Sequence, residues 1–311
     1  MDNTVLKIDR VSIGFGGGAE AVSDVSVEVL EKDRTIIIGE TGSGKSVLLQ
    51  GILHLLPERA RIEGRILFGG VDLIAASERE LNRIRGRRIA YIPQGSGNGL
   101  NPLYSVGHQL CESIMKYTGL DRRQALVRAR ELLKTYGMEN GEAICRMYPF
   151  QLSGGMRQRV LIAMGVAADA ELVLADEPTK GLDQRRIDMV TESFRLLRGH
   201  TMLCVTHDLR FAKEIASKIV VMYASQKVES ASAADFFERP LHPYAQAMLD
   251  ALPENGLRVN LGFAPPRERD ERSLGMCRFY DRCPYRAERC MQAPPLVRVG
   301  DREVRCWRYA D

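Results

Sequence analysis

The sequence holds 311 residues, 45% hydrophobic and 27% charged, with a formal net charge of +4. That length buries a sizeable core in one large domain or two, and so slight a charge is too weak to argue for a nucleic-acid partner, so none is expected. No run approaches the roughly 18 to 20 apolar residues of a spanning helix, and the N-terminal MDNTVLKIDR lacks the apolar stretch of a signal peptide, so a cytosolic chain is expected.

Residues 5–13 (VLKIDRVSI) and 22–30 (VSDVSVEVL) alternate apolar with polar, as half-buried strands do, around the turn FGGG. TIIIG, at 35–39, is a short buried strand that feeds a glycine loop and a helix, SVLLQGILHLL, ending at Pro57. RIEGRILFGGVDL predicts a hairpin, SERE at 77–80 is a capping box opening a short charged helix, and the strand IAYIPQ runs into the loop GSGNGLNP. From 105 to 167 the periodicity turns helical, which predicts a helical insert; ELVLADEP, TMLCVTHD and KIVVMYA then return as apolar strands separated by helices. That alternation predicts an α/β domain with a mainly parallel sheet. Near 254 the composition shifts to Pro, Arg, Glu and Cys, where a small appendage begins.

GETGSGKS (Gly39, Glu40, Thr41, Gly42, Ser43, Gly44, Lys45, Ser46) fits G-x-x-x-x-G-K-S between a predicted strand and helix, the context that phosphate binding requires. Its N–H groups wrap phosphates, Lys45 reaches the β and γ oxygens, and the Ser46 hydroxyl suits Mg²⁺. At the end of the strand LVLAD, Asp176 is placed to hold the metal through its water shell and Glu177 to polarise an attacking water; two acids in a solvated loop are the alternative, which a P-loop on the neighbouring strand disfavours. Gln94 and His207 also leave strand carboxyl ends, the edge where such sheets collect ligands. QLSGGMRQRV at 151–160 sets Ser153, Gly154 and Gly155 before a helix expected from about Met156, either as an anion site at a helix N-terminus or as an ordinary Ser N-cap.

In this order the phosphate loop, glutamine, SGG helix start, Asp-Glu strand end and histidine resemble the ATP-binding-cassette ATPases over residues 1–253. The resemblance implies a P-loop NTPase cassette, with a RecA-like core, an antiparallel β subdomain and a helical subdomain at about 105–167. It also implies that two cassettes meet head to tail, so that Ser153, Gly154 and Gly155 close the γ-phosphate site of the other. Carried over, Gly39 to Ser46 hold ATP, and Ser46, Gln94 and Asp176 attend Mg²⁺. Glu177 is the base, Asp183 lies in the loop between sites, His207 contacts the γ-phosphate, and Phe15 stacks on adenine unless it is a core residue.

GILHLLP, the long loop after Gln94 and FFERPLHPYAQAMLDALP at 236–253 resemble the oligopeptide, dipeptide and nickel importer branch. Two permease subunits, an extracytoplasmic substrate-binding protein and a second cassette, a copy or a paralogue, are then the implied partners, at the cytoplasmic face of the membrane. The chain would couple ATP hydrolysis to uptake of peptides, nickel or a metal chelate. A soluble cassette protein of DNA repair or translation is the alternative, but its usual coiled-coil or zinc-hook insertions and basic patches are not visible. A small-molecule kinase would not need the SGG segment. In place of the Thr-Ala usual in peptide-importer relatives the chain has Lys180-Gly181, and the segment from Pro253 to Cys277 is short.

Of seven cysteines, Cys111, Cys145 and Cys204 lie in apolar or helical surroundings as buried thiols would. Cys277, Cys283, Cys290 and Cys306, spaced C-x5-C-x6-C-x15-C in an extension at 254–311, match the branch's iron-sulfur cluster. Four thiolates suit a 4Fe-4S centre or Zn²⁺ alike on ligand count, and the role expected is structural.

Overall fold

A computed structural model describes residues 3–16, 20–95, 99–197, 199–255 and 275–310. Strands β1 (Thr4–Phe15), β2 (Val22–Leu30) and β3 (Arg34–Ile38) precede helix α1 (Lys45–Ile52), and β4 (Ala60–Phe68) turns back as β5 (Val71–Asp72). Next come α2 (Glu78–Ile84), β6 (Ile89–Ile92) and four helices, α3 (Val106–Thr118), α4 (Arg122–Thr135), α5 (Gly141–Arg146) and α6 (Gly154–Gly165). Strand and helix then alternate through β7 (Leu172–Asp176), α7 (Gln184–Arg195), β8 (Thr201–Thr206), α8 (Leu209–Ile215) and β9 (Lys218–Tyr223). The chain continues with β10 (Gln226–Ser232), α9 (Ala233–Glu238) and α10 (Pro243–Asp250), and its last hairpin is β11 (Leu296–Val299) with β12 (Arg302–Arg305).

Two compact units divide the chain, one of residues 1–5, 29–34 and 75–215, the other of 6–28, 35–74 and 216–311. In the first, β6, β7 and β8 pair in parallel in that order, with Ile89 opposite Leu172 and Asp176 opposite Val205. Every residue of β7 and β8 is buried, which is why both read as unbroken apolar runs. The helical insert is α3 to α6, and Phe194 meets Phe211 edge to face at 5.2 Å to join α7 to α8. The capping box at SERE forms as expected: Ser77 accepts from the Glu80 N–H while the Glu80 carboxylate accepts from the Ser77 N–H.

In the second unit, one sheet runs β2-β1-β4-β5, and the predicted hairpin is β4 with β5, Phe68 facing Val71. Helix α1 stops at Ile52 instead of continuing to Leu56, because His54 takes a left-handed φ of 51° that no helix accommodates. A second set of strands orders β11, β12, β10, β9 and β3, parallel between β3 and β9 and antiparallel elsewhere. The C-terminal hairpin joins the sheet: β12 pairs with β10 through Glu229 opposite Val304, covering an edge that would otherwise expose unpaired backbone. Leu241, Val304 and Cys306 form a small core there, with Val297, Val299 and Tyr309 against it. Two buried charges on β10 are matched from the tail, Glu229 by Arg302 at 2.9 Å and Lys227 by Glu303 at 2.8 Å. Most of the segment between Pro253 and Cys277 lies outside the described residues.

His242 is 2% exposed, and its Nδ1 accepts from the Tyr244 N–H at 3.0 Å, so the ring is neutral. Burial pushes its pKa down to about 3 from the ordinary 6.5. Between those values the unfolded chain takes up a proton that the folded chain refuses, so this group's stabilisation is complete above pH 6.5 and is lost as pH falls toward 3, by about 1.36 kcal/mol per pH unit. The buried Glu229, whose pKa burial raises, acts in the opposite sense. His242→Asn keeps an acceptor for Tyr244 and is expected to remove about one proton from the acid slope of stability, read as urea midpoints across pH. An unchanged slope would contradict the assignment.

Candidate nucleotide site

Strand β3 is buried from Thr35 to Ile38 and delivers the glycine loop to the start of α1. A Cβ on Gly39 would lie 2.1 Å from the Met222 carbonyl oxygen, and one on Gly44 would lie 2.1 Å from that of Ala21, so the backbone passes where no side chain fits. Gly44 is also the N-cap of α1, at φ 97°, and no side chain caps the helix. The start of α1 is therefore presented bare to the loop, as anion binding asks. Lys45 is only 4% exposed, and its ammonium donates to the carbonyls of Gly39 at 2.7 Å and Glu40 at 2.9 Å, with the Ser43 hydroxyl at 3.5 Å. All three of these acceptors are neutral; they orient the ammonium without cancelling its charge. Ser46 is half-buried in the first turn of α1, and Thr41 and Gly42 are exposed at the loop's crest. Phe15, at the end of β1, is half-buried rather than a core side chain, which leaves ring surface for stacking.

In the other unit, Asp176 ends β7 with 2% exposure and accepts from the Tyr91 hydroxyl at 3.3 Å. Glu177, 5% exposed, follows at φ 45°, a left-handed conformation that a non-glycine residue holds only when its surroundings fix it. Its N–H donates to the Val205 carbonyl at 2.9 Å, and its Oε2 accepts from the His207 N–H at 3.3 Å and lies 2.6 Å from His207 Nδ1. A strained backbone and a histidine clamp thus fix the Glu177 carboxylate. Cys204 is fully buried nearby, and burial, then the charges of Glu177 and Asp176, hold its thiol well above the usual range, an inert structural role. Cys111 and Cys145 are likewise buried, and burial pushes the latter up to about 11. Gln94 is exposed just beyond β6.

Helix α6 begins at Gly154, two residues before the expected start, and Ser153 is its N-cap, accepting from the Met156 N–H at 3.3 Å. Gly154 and Gly155 are helical and buried; a Cβ on Gly155 would come 3.1 Å from Met189 of α7, so the second glycine serves helix packing. The ordinary capping role is real, and Ser153 remains exposed beside it. Asp183, also exposed, caps α7 by accepting from the Arg186 N–H at 3.1 Å. Gly181 of the divergent Lys180-Gly181 pair turns at φ 74° just before it.

The tail cysteines stand apart from this chemistry. All four are unpaired thiols, and the Cys277 N–H donates to the Cys290 carbonyl at 3.0 Å. Burial first, and then the neighbouring thiols, push Cys277 up to about 12, while Cys283 and Cys306 rise for the same leading reason. Even so, among the described residues no group of three or more His, Cys, Asp or Glu side chains is arranged to hold a metal ion. The expected cluster thus has no ready-made site among the described residues, and the burial that raises Cys277, Cys283 and Cys306 works against the thiolates a metal needs. Tyr91, Tyr244 and Arg282, which touch Asp176 or Glu40, escaped sequence reasoning.

The glycine loop after β3 in one unit and the clamped acid after β7 in the other are each features expected of a P-loop nucleoside triphosphatase. Comparison narrows that class. The ABC transporter family profile matches residues 22–180, and that of the oligopeptide/dipeptide transporter C-terminal region matches 228–290. A dipeptide transport ATP-binding protein of Haemophilus influenzae is 36% identical over 97% of this chain and 94% of its own length, and one of Escherichia coli 37% identical over 97% and 96%. Among solved structures, a dimeric ATP-binding cassette in a post-hydrolysis state, bound to ADP and Pi, aligns with a TM-score of 0.64 and 27% identity over 73% of this chain and 98% of that one. The chain belongs to the ABC transporter ATP-binding subunits, in their oligopeptide/dipeptide branch, and it is an ATPase. No helix among the described residues is long and apolar enough to cross a membrane.

Proposed function

We propose that this chain powers a peptide importer, working at the cytoplasmic face of the membrane with two permease subunits, a substrate-binding protein and a second cassette. Gly39 to Ser46 bind the triphosphate, with Lys45 on its terminal oxygens and Phe15 under the adenine. Ser46, Gln94 and Asp176 would hold Mg²⁺, which would supply positive charge to the transferring phosphoryl group. Glu177 accepts the proton of the attacking water, His207 holds that carboxylate and reaches the γ-phosphate, and Asp183 lies in the loop between sites. Ser153, Gly154 and Gly155 close the partner cassette's nucleotide. The observation that carries the hydrolytic part is the 2.6 Å contact between Glu177 and His207 at a strained, buried strand end. The two relatives reported above are named for dipeptide transport, which favours peptide over nickel or metal chelate.

Residues 1–253 are proposed to form the motor, with its helical part at about 105–167, and 254–311 the branch-specific extension. Leu103, 79% exposed, and the stacked pair Tyr148 and Phe150 offer apolar surface to the permease. Purification with the neighbouring membrane subunits, followed by ATPase assay with and without peptide-loaded binding protein, tests the assignment; peptide-stimulated turnover supports it, and co-purification with ribosomes or DNA would defeat it.

Cys277, Cys283, Cys290 and Cys306 are proposed to bind a 4Fe-4S cluster, with zinc as the alternative; the support is their C-x5-C-x6-C-x15-C spacing and the branch resemblance. Anaerobically prepared protein is expected to carry about four irons per chain, and the double variant Cys283→Ser, Cys290→Ser to carry none. Wild-type protein with zinc, or with no metal, would end the iron-sulfur reading and leave the ATPase standing.

A further inference from the structure

Glu40, in the phosphate loop, is gripped at three points. Its N–H donates to the Tyr244 hydroxyl at 2.9 Å, and its carboxylate accepts from both Nη atoms of Arg282, at 3.0 and 2.9 Å. Its carbonyl accepts from the Lys45 ammonium at 2.9 Å. The first two partners come from far down the chain, Tyr244 on α10 and Arg282 between two of the tail cysteines.

Both sit in an aromatic frame. Tyr223 lies 4.6 Å from Tyr244 and 5.2 Å from Phe279 between ring centroids, and the Arg282 guanidinium lies 5.6 and 5.7 Å from the Tyr223 and Phe279 rings. Tyr223 directly follows Met222, whose carbonyl closes against Gly39. Burial works against the Arg282 charge, but hydrogen bonds to Glu40 and Tyr223 outweigh it and keep the guanidinium charged. A two-pronged charge-assisted pair in such a frame holds its partner in one orientation. Removing the arginine would do two things in the same direction: the carbonyl that aims Lys45 would lose its anchor, and an uncompensated carboxylate would stand in the loop that receives a polyanion.

We propose that Arg282 and Tyr244 are positioning residues of the nucleotide site, holding Glu40 so that its carbonyl aims Lys45 and its carboxylate is neutralised. ATP affinity is thereby set partly by the C-terminal region. The inference rests on reading the glycine loop as the ATP site.

The test uses the full-length chain, titrated with trinitrophenyl-ATP and melted in parallel, with turnover measured in the assembled transporter. Arg282→Ala is expected to weaken binding about tenfold, with KM for ATP rising to match and kcat staying within about twofold. Arg282→Lys should recover part of that loss, and so should Glu40→Gln added to Arg282→Ala, because it removes the stranded charge. Tyr244→Phe, which deletes a single hydroxyl, should cost about threefold. Lowered melting temperatures with wild-type affinity in both Arg282→Ala and Tyr244→Phe would reduce Arg282 to a staple for the tail and overturn the proposal; if Arg282→Ala does not fold, Tyr244→Phe decides alone. A wild-type chain that failed to bind the analogue would instead strike the ATP reading itself.

Discussion

Glu177→Gln is expected to lower ATP turnover by a hundredfold or more while leaving ATP affinity within about twofold, since a positioned base supplies roughly 10² to 10⁴ in rate. The substitution is nearly isosteric, and its remaining carbonyl oxygen still accepts from the His207 N–H that now donates to Oε2 at 3.3 Å. The left-handed backbone at φ 45° and the bond from its N–H to the Val205 carbonyl do not depend on the carboxylate charge. What disappears is proton acceptance, so ATP should bind, draw two cassettes together and stay. Single-turnover assays with radiolabelled ATP measure this. Turnover at the wild-type rate would take the base role from Glu177.

Lys45→Met is expected to weaken ATP binding by about a hundredfold or more, through loss of charge-assisted hydrogen bonds to phosphate that each contribute about 1.5 to 3 kcal/mol. Methionine matches the aliphatic stem, which is almost wholly buried. It cannot replace the donors that reach the Gly39 and Glu40 carbonyls, so the loop also loses an internal brace. Folding stability should change little or rise, because a buried ammonium is costly to desolvate. Affinity and stability therefore part company, which separates loss of a ligand group from unfolding. Equilibrium titration beside a thermal melt reads both, and unaltered affinity would remove Lys45 from the site.

Much of the motor was legible because its signals are local. The run TIIIG before glycines, the capping box at Ser77 and Glu80, and the apolar strands that end in Asp176 and Thr206 each carry their own pattern, and the helical insert declared itself by period. The start of α6 was misplaced because two glycines suggest a turn, whereas Gly155 is helical and bare on account of Met189, a neighbour on another helix. Strand β10 was invisible for a similar reason: QKVESAS looks exposed until Arg302 and Glu303, about 75 residues further on, neutralise Glu229 and Lys227. The clamp between Glu177 and His207 and the grip of Arg282 on Glu40 are likewise pairings of distant residues that no spacing announces. Motifs named the parts of the proposed site, but what holds each part in place came from tertiary structure.

The central claim is that each nucleotide is closed by the Ser153 segment of the other cassette. The most direct measurement is ATP binding and turnover by a Ser153→Asp chain. Aspartate is as good an N-cap as serine, so α6 should keep its start, while a negative charge is set where a partner's γ-phosphate would lie. The account predicts wild-type nucleotide binding by the isolated chain, with turnover abolished in a self-paired assembly and at least halved beside a paralogue. Full turnover by the Ser153→Asp assembly would contradict it.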